Sequence, residues 1–122
     1  VEFTLTAPAN AMTFRYSLPD NAAGTGRDAS IDVRVNGTQL KSVPVTSKYG
    51  WYYGGYPFNN NPGDTNPHHF YDETRTMFGS TLAAGTKVRL QVSSTAQSPT
   101  FTIDLADFEQ VAAPIGNPSG AL

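Results

Sequence analysis

Alternation of apolar and polar residues at period two is the feature that most constrains the fold of this chain. It recurs in five segments, whose apolar members are Phe3 and Leu5; Met12, Phe14 and Tyr16; Ile31, Val33 and Val35; Val88, Leu90 and Val92; and Phe101, Ile103 and Leu105. Successive side chains of a strand point to opposite faces, so each segment predicts a strand that is buried on one face. The predicted core contains Phe14, Val33, Val35, Val88, Leu90, Phe101 and Ile103.

Turn residues separate the predicted strands. Asn36-Gly37 lies between two alternating runs and is a strong signal for a tight β-hairpin. Further breaks fall at residues 7–10, 19–29, 48–67, 83–85 and 93–99, and no segment has the capped i, i+3, i+4 pattern of a helix. These features predict an all-β fold, an antiparallel β-sandwich without substantial helix, over residues 1–112. Residues 113–122 contain Pro and Gly without a period, and we expect them to form a linker to a following domain.

The composition excludes several classes of function. A net charge of −2, with 15% charged residues, leaves no basic footprint for nucleic acid. No apolar run approaches the ~20 residues that cross a membrane, and the absence of cysteine excludes disulfides and thiolate chemistry. Few charges, with abundant Thr, Ser, Asn and Gly, are typical of an extracellular β protein. The chain opens on a strand-like segment with no signal peptide, so we expect it to be a piece of a longer polypeptide.

Residues 49–75 concentrate the aromatic side chains of the chain, with its only Trp, five Tyr, two Phe and both His. Rings on a loop-rich surface, beside Asn and Asp, are suited to a sugar, because a ring stacks on the C–H face of a pyranose while polar groups bind its hydroxyls. The alternative is a compact loop that packs its rings into a small core of its own. The predicted stacking rings are Trp51, Tyr52, Tyr53 and Tyr56, with Tyr49 at the edge and Tyr16 nearby, and the predicted hydrogen-bonding partners are Asn59, Asn60, Asp64 and His68.

Two neighbouring pairs in this region are not predicted to carry chemistry. His68 and His69 are adjacent in a strand and point to opposite faces, so both rarely reach one metal ion. Asp72 and Glu73 diverge in the same way, whereas glycoside hydrolysis needs two carboxyl groups that face each other across the bond. A salt bridge between Glu73 and Arg75, two residues apart on one face, is the simpler prediction.

Several segments resemble family 6 and family 35 carbohydrate-binding modules, which are β-sandwich jelly rolls. They are MTFRYSLPD, the hairpin VRVNGTQL, HHFYDETR, the turn LAAGTKVRLQV and the closing strand IDLADFEQV. The ending DFEQVAAPIGNPSG resembles the junction into secreted bacterial parallel β-helix enzymes, and most closely that of the α-1,3-glucanases of glycoside hydrolase family 87. The resemblance covers the chain after residue 1.

The resemblance also implies a structural calcium ion. In these families an Asp on the last strand completes the calcium site, and Asp107 matches that position best, with Asp104 next. Calcium takes several oxygen ligands, usually carboxylates and backbone carbonyls. The alternative is that both are carboxylates on the solvent face of a strand.

Three functions remain open. The first, which we favour, is a non-catalytic module of a secreted bacterial glycoside hydrolase that binds a neutral glucan, with α-1,3-glucan preferred. The second is a structural domain that braces a β-helix catalytic domain without binding sugar. The third is a part of the catalytic unit itself that lends a loop to the active cleft. The expected partners are therefore a polysaccharide and the catalytic domain of the same parent chain, with neither nucleic acid nor membrane.

Overall fold

The computed structural model describes residues 1–59, 61–64, 67–95 and 97–112, and this part of the chain forms nine β-strands with no helix. The strands are β1 (Glu2–Thr4), β2 (Ala9–Ser17), β3 (Asp28–Val35), β4 (Thr38–Thr46), β5 (Trp51–Tyr52), β6 (His68–His69), β7 (Asp72–Leu82), β8 (Lys87–Val92) and β9 (Thr102–Glu109). The all-β prediction is confirmed. The predicted linker at residues 113–122 lies outside the described residues and stays a prediction.

Seven of these strands form two antiparallel sheets. One sheet has the order β1-β8-β3-β4 and the other the order β7-β2-β9, while β5 and β6 pair only with each other. One buried cluster joins the inner faces of the two sheets, as in a β-sandwich. The strands β4 and β7 are edge strands of the two sheets, and together they border one side of the sandwich.

The core agrees with most of the predicted residues. Phe14, Val33 and Val88 are fully buried, and Leu90 is 4% exposed. The other three predicted residues, Val35, Phe101 and Ile103, are half-buried. Val35 ends its strand at the hairpin, whereas Phe101 and Ile103 pack against the core from the margin.

The β3–β4 hairpin forms where Asn36-Gly37 predicted it. Val35 pairs with Thr38, and the two turn residues have φ angles of 48° and 84°. Two consecutive positive φ angles define a type I′ turn, whose twist matches that of the flanking strands.

A β-bulge changes the alternation of the last strand. In the pairing of β2 with β9, Tyr16 lies opposite Ile103 but Arg15 lies opposite Leu105, so Asp104 is the extra residue. The bulge turns Leu105 outward, where it is 41% exposed, and brings Ala106 and Phe108 against the core instead. The predicted inward position of Leu105 is therefore wrong.

Candidate functional site

Strands β5 and β6 form a short two-stranded ribbon at one end of the sandwich. Trp51 pairs with His69, Tyr52 pairs with His68, and the Phe70 amide donates to the Gly50 carbonyl at 2.7 Å. Directly paired residues of antiparallel strands share a face, and the next pair lies on the opposite face. We call β5, β6 and the adjoining rings of Phe58 and Phe70 the aromatic ribbon.

The inner face of the aromatic ribbon attaches it to the sandwich. The Trp51 side chain is half-buried, and its Nε1 donates to the Leu18 carbonyl at 2.7 Å. Its ring centroid lies 5.0 Å from that of His69, with an angle of 32° between the planes. A shallow cavity of about 210 Å³ lies between these two rings and Pro19. Trp51 therefore anchors the ribbon and offers only part of its surface to solvent.

The outer face of the aromatic ribbon presents a contiguous group of exposed rings. The Tyr52 ring centroid lies 5.4 Å from those of Phe58 and Phe70, and the Phe58 centroid lies 5.4 Å from that of His68. Tyr52, Phe58 and Phe70 are 37%, 44% and 53% exposed. Tyr56 is 92% exposed and approaches Phe58 edge-on. Rings that pack on one another and still face solvent form a fixed surface for stacking.

Phe58 and Phe70 are absent from the predicted site residues. The spacing of Phe70, two residues after His68, was an available signal, because residues i and i+2 of a strand share a face. Phe58 carries no such signal, since it reaches Tyr52 through the loop between the two strands.

The predicted polar partners mainly hold the loop together. Asn59 Nδ2 donates to Asp64 Oδ2, and Asn59 Oδ1 accepts from the Asn61 amide at 2.9 Å. Asn60 lies outside the described residues. Asp64 also lies beside Gly54. Among the described candidates, exposed His68 is the partner that adjoins the outer rings.

Tyr53 fastens this loop to the one before β3. Its hydroxyl donates to Asp20 Oδ2 at 3.1 Å. Partial burial raises the pKa of Tyr53, and the hydrogen bond to the Asp20 carboxylate raises it further. The phenol therefore stays protonated and keeps donating at neutral pH.

The structure places Tyr16 in the core and not with the exposed rings. It is 3% exposed, and its hydroxyl donates to the Thr46 carbonyl at 3.2 Å and accepts from the Thr46 amide at 3.0 Å. Burial raises its pKa. Tyr49, in contrast, is 79% exposed.

A second concave feature lies between the edge strands β4 and β7, and we call it the edge cleft. It has a volume of about 430 Å³. Its lining consists of Tyr16, Asp28, Ala29, Pro44, Val45, Thr46, Tyr49, Asp72, Glu73 and Thr74. The lining of the edge cleft therefore includes three acidic residues, several apolar residues and one exposed ring.

The ion pairs beside the edge cleft differ from the prediction. Glu73 binds Arg15, at 2.9 Å, because the two residues lie directly opposite each other in the pairing of β2 with β7. Arg75 binds Glu109 on the outer face instead, so the predicted Glu73–Arg75 pair is wrong. Asp72 Oδ1 accepts the Glu73 amide at 2.8 Å.

The predicted calcium ligands lie on β9. Asp104 Oδ2 is 3.4 Å from Arg15 Nη1, and exposed Asp107 lies opposite Thr13. Among the residues that the structure describes, no three Asp, Glu, His or Cys side chains converge on one point. Because calcium takes about 6 to 8 oxygen ligands, these two residues fit a calcium site only in part, and calcium stays a prediction.

The fold defines the class of protein first: an all-β domain built as an antiparallel β-sandwich. A family model described as α-1,3-glucanase catalytic domain D1 matches residues 1–111, and the chain belongs to this family. A search of curated proteins finds no match. The described residues contain no helix with the length and apolarity needed to cross a membrane.

Solved structures agree with the family. The Agl-KA catalytic domain is 31% identical, with a TM-score of 0.89 over 99% of this chain and 21% of its own. The catalytic unit of the thermostable GH87 α-1,3-glucanase from Streptomyces thermodiastaticus strain HF3-3 is 44% identical, with a TM-score of 0.76 over 100% of this chain and 20% of its own. A GH87 α-1,3-glucanase catalytic domain in complex with nigerose is 27% identical, with a TM-score of 0.81 over 96% of this chain and 21% of its own.

These comparisons correct one prediction and leave another without support. The expectation of a non-catalytic accessory domain is wrong, because the family model describes a domain of the α-1,3-glucanase catalytic region and the similar structures are catalytic domains. Membership in carbohydrate-binding families 6 and 35 is not confirmed. The chain spans about a fifth of the length of the structures it matches.

Proposed function

We propose that this chain is the β-sandwich domain of an α-1,3-glucan-hydrolysing catalytic unit, and that it holds the polysaccharide on the outer face of the aromatic ribbon. The observation that carries the proposal is the contiguous, solvent-exposed group of Tyr52, Phe58 and Phe70. An exposed ring face binds the C–H face of a glucose unit without needing charge. The domain then takes part in substrate binding within the catalytic unit.

The chemistry of the ribbon fits a neutral glucan. Its two strands, Trp51–Tyr52 and His68–His69, contain no carboxylate and no Lys or Arg. A GH87 α-1,3-glucanase catalytic domain has been solved with nigerose, and a variant of that domain with tetrasaccharides. The parent enzyme of this chain would act on an extracellular polysaccharide and would therefore be secreted.

A bracing role is the second candidate, and the anchoring of Trp51 favours it. The indole binds the Leu18 carbonyl, so this ring stabilises the position of the ribbon. The exposed rings of the outer face would then pack against the rest of the catalytic unit, which makes up about four fifths of the similar structures. The two candidates differ in whether the outer rings are free to meet sugar.

Substitution of the outer rings tests the proposal. We expect Tyr52→Ala and Phe58→Ala each to weaken co-sedimentation with insoluble α-1,3-glucan, by about fivefold in affinity for one stacked ring. Leu40→Ala is the matched control, because Leu40 is 43% exposed on the β3–β4 hairpin, outside the ribbon. Parallel assays with β-1,3-glucan and xylan measure specificity. Equal retention of both ring variants and wild type, or no retention of wild type, would favour the bracing role.

A further inference from the structure

Two short chain segments connect the edge cleft to the aromatic ribbon. Tyr49 lines the cleft, and Gly50 connects it to β5. After β6, Phe70 and Tyr71 lead to Asp72, the first residue of β7, which also lines the cleft. Tyr71 is 44% exposed, and its ring centroid lies 5.7 Å from that of His69. Tyr49 and Tyr71 are therefore exposed rings on the two chain segments that connect the ribbon to the cleft.

The lining of the edge cleft has the two kinds of surface that a pyranose needs. Exposed Pro44 contributes apolar surface above the nearly buried Val45 and Ala29, and the exposed Tyr49 ring is part of the same lining. Carboxylate oxygens are strong acceptors for sugar hydroxyls. Its volume of about 430 Å³ lies within the range of roughly 300–1,000 Å³ that is common for ligand pockets.

The three carboxylates of the cleft are held in place by neighbouring groups. Lys48 Nζ lies 2.7 Å from Asp28 Oδ2, and its hydrogen bond lowers the pKa of Asp28. Arg15 holds Glu73, and the Glu73 amide holds one oxygen of Asp72. Among the described residues these acids do not form a metal-ligating group. Oriented carboxyl acceptors that are not arranged around a cation are suited to the hydroxyls of a neutral ligand.

We propose that the edge cleft is a second sugar subsite, adjoining the aromatic ribbon, so that the domain holds several consecutive glucose units of one α-1,3-glucan chain. This inference rests on the proposed function, since it adds a second subsite to the glucan-binding site proposed for the ribbon. Tyr49 stacks on the distal unit, and Asp28 and Asp72 accept its hydroxyl groups. Affinity then rises with the length of the oligosaccharide, because a short ligand occupies the ribbon alone.

Titration calorimetry with nigerose and with an α-1,3-linked hexasaccharide tests the inference. We expect Tyr49→Ala and Asp72→Asn to weaken hexasaccharide binding by about fivefold and to leave nigerose binding unchanged. Tyr52→Ala weakens the binding of both ligands, and Leu40→Ala weakens neither. Tyr49 is 79% exposed, so its truncation removes little packing.

Amide NMR shifts locate the distal unit directly. We expect the hexasaccharide, but not nigerose, to shift the amide signals of Thr46 and Thr74, two residues that line the cleft on its two strands. If these amides do not move and Tyr49→Ala binds the hexasaccharide like wild type, the cleft is not a subsite, while a loss in Tyr52→Ala still supports the ribbon. If wild type binds neither oligosaccharide, the proposed function fails and this inference fails with it.

Discussion

The indole of Trp51 has a structural role, and the proposed binding surface is formed by the neighbouring rings. Its N–H donates to the Leu18 carbonyl, 33 residues earlier in the chain, while its ring centroid lies 5.0 Å from that of His69. A half-buried Trp commonly combines an apolar body with one satisfied donor. The stacking surface is consequently built from Tyr52, Phe58 and Phe70, which the anchored Trp51 holds in position.

Replacement of Trp51 by Phe tests this anchoring at the scale of one residue. Trp51→Phe keeps an aromatic ring but removes the donor, so the partly buried Leu18 carbonyl loses its partner. We expect a loss of about 1 kcal/mol in the free energy of unfolding, measured with urea. Tyr56→Phe is the control, because Tyr56 is 92% exposed and should lose nothing measurable. Equal stability of the two variants would show that the indole hydrogen bond does not stabilise the fold.

At the scale of elements, local patterns predicted strands well and their irregularities poorly. Period two is a property of neighbouring residues, and it correctly predicted the strands that carry Phe14, Val33 and Leu90. The bulge at Asp104 depends on pairing with Arg15, 89 residues away, so the alternation of β9 gave no sign that Leu105 turns outward. The partners of Glu73 and Arg75 depend on the same kind of distant register.

The β3–β4 hairpin provides a test at this scale. Gly37 has a φ of 84°, and a Cβ added there would meet no atom within 4 Å. The cost of Gly37→Ala is therefore conformational, and we expect it to destabilise the protein by about 1 kcal/mol in thermal or urea unfolding. Gly55→Ala is the matched control, because a Cβ there also meets no atom within 4 Å but the residue does not have a positive φ. A Gly37→Ala variant as stable as Gly55→Ala would contradict the type I′ assignment.

At the scale of the whole molecule, the sequence predicted the β-sandwich, but it predicted the role of the domain only in part. Composition and alternation sufficed for an all-β fold, because neither depends on which distant residues pair. The aromatic ribbon requires Trp51 to meet His69 across an intervening loop, and periodicity does not record which distant residues pair. Membership in a catalytic unit was one of the three open functions but not the favoured one, because the neighbouring Asp72 and Glu73 did not signal hydrolysis, and the family match supplied what the residues did not.

Calcium binding is tested at this scale, because an ion that binds only the folded protein raises the stability of the whole domain. Exposed Asp107 is the carboxylate available for it, since Asp104 already binds Arg15. For a dissociation constant near 1 mM, about 10 mM calcium contributes roughly 1.4 kcal/mol and raises the melting temperature by about 5 °C. We expect this rise over a chelator control in wild type and its loss in Asp107→Asn, with Glu2→Gln as a control on another strand. Identical melting curves of wild type in calcium and in chelator would leave Asp107 as a solvent-face carboxylate, because a site on the native state must shift the unfolding equilibrium.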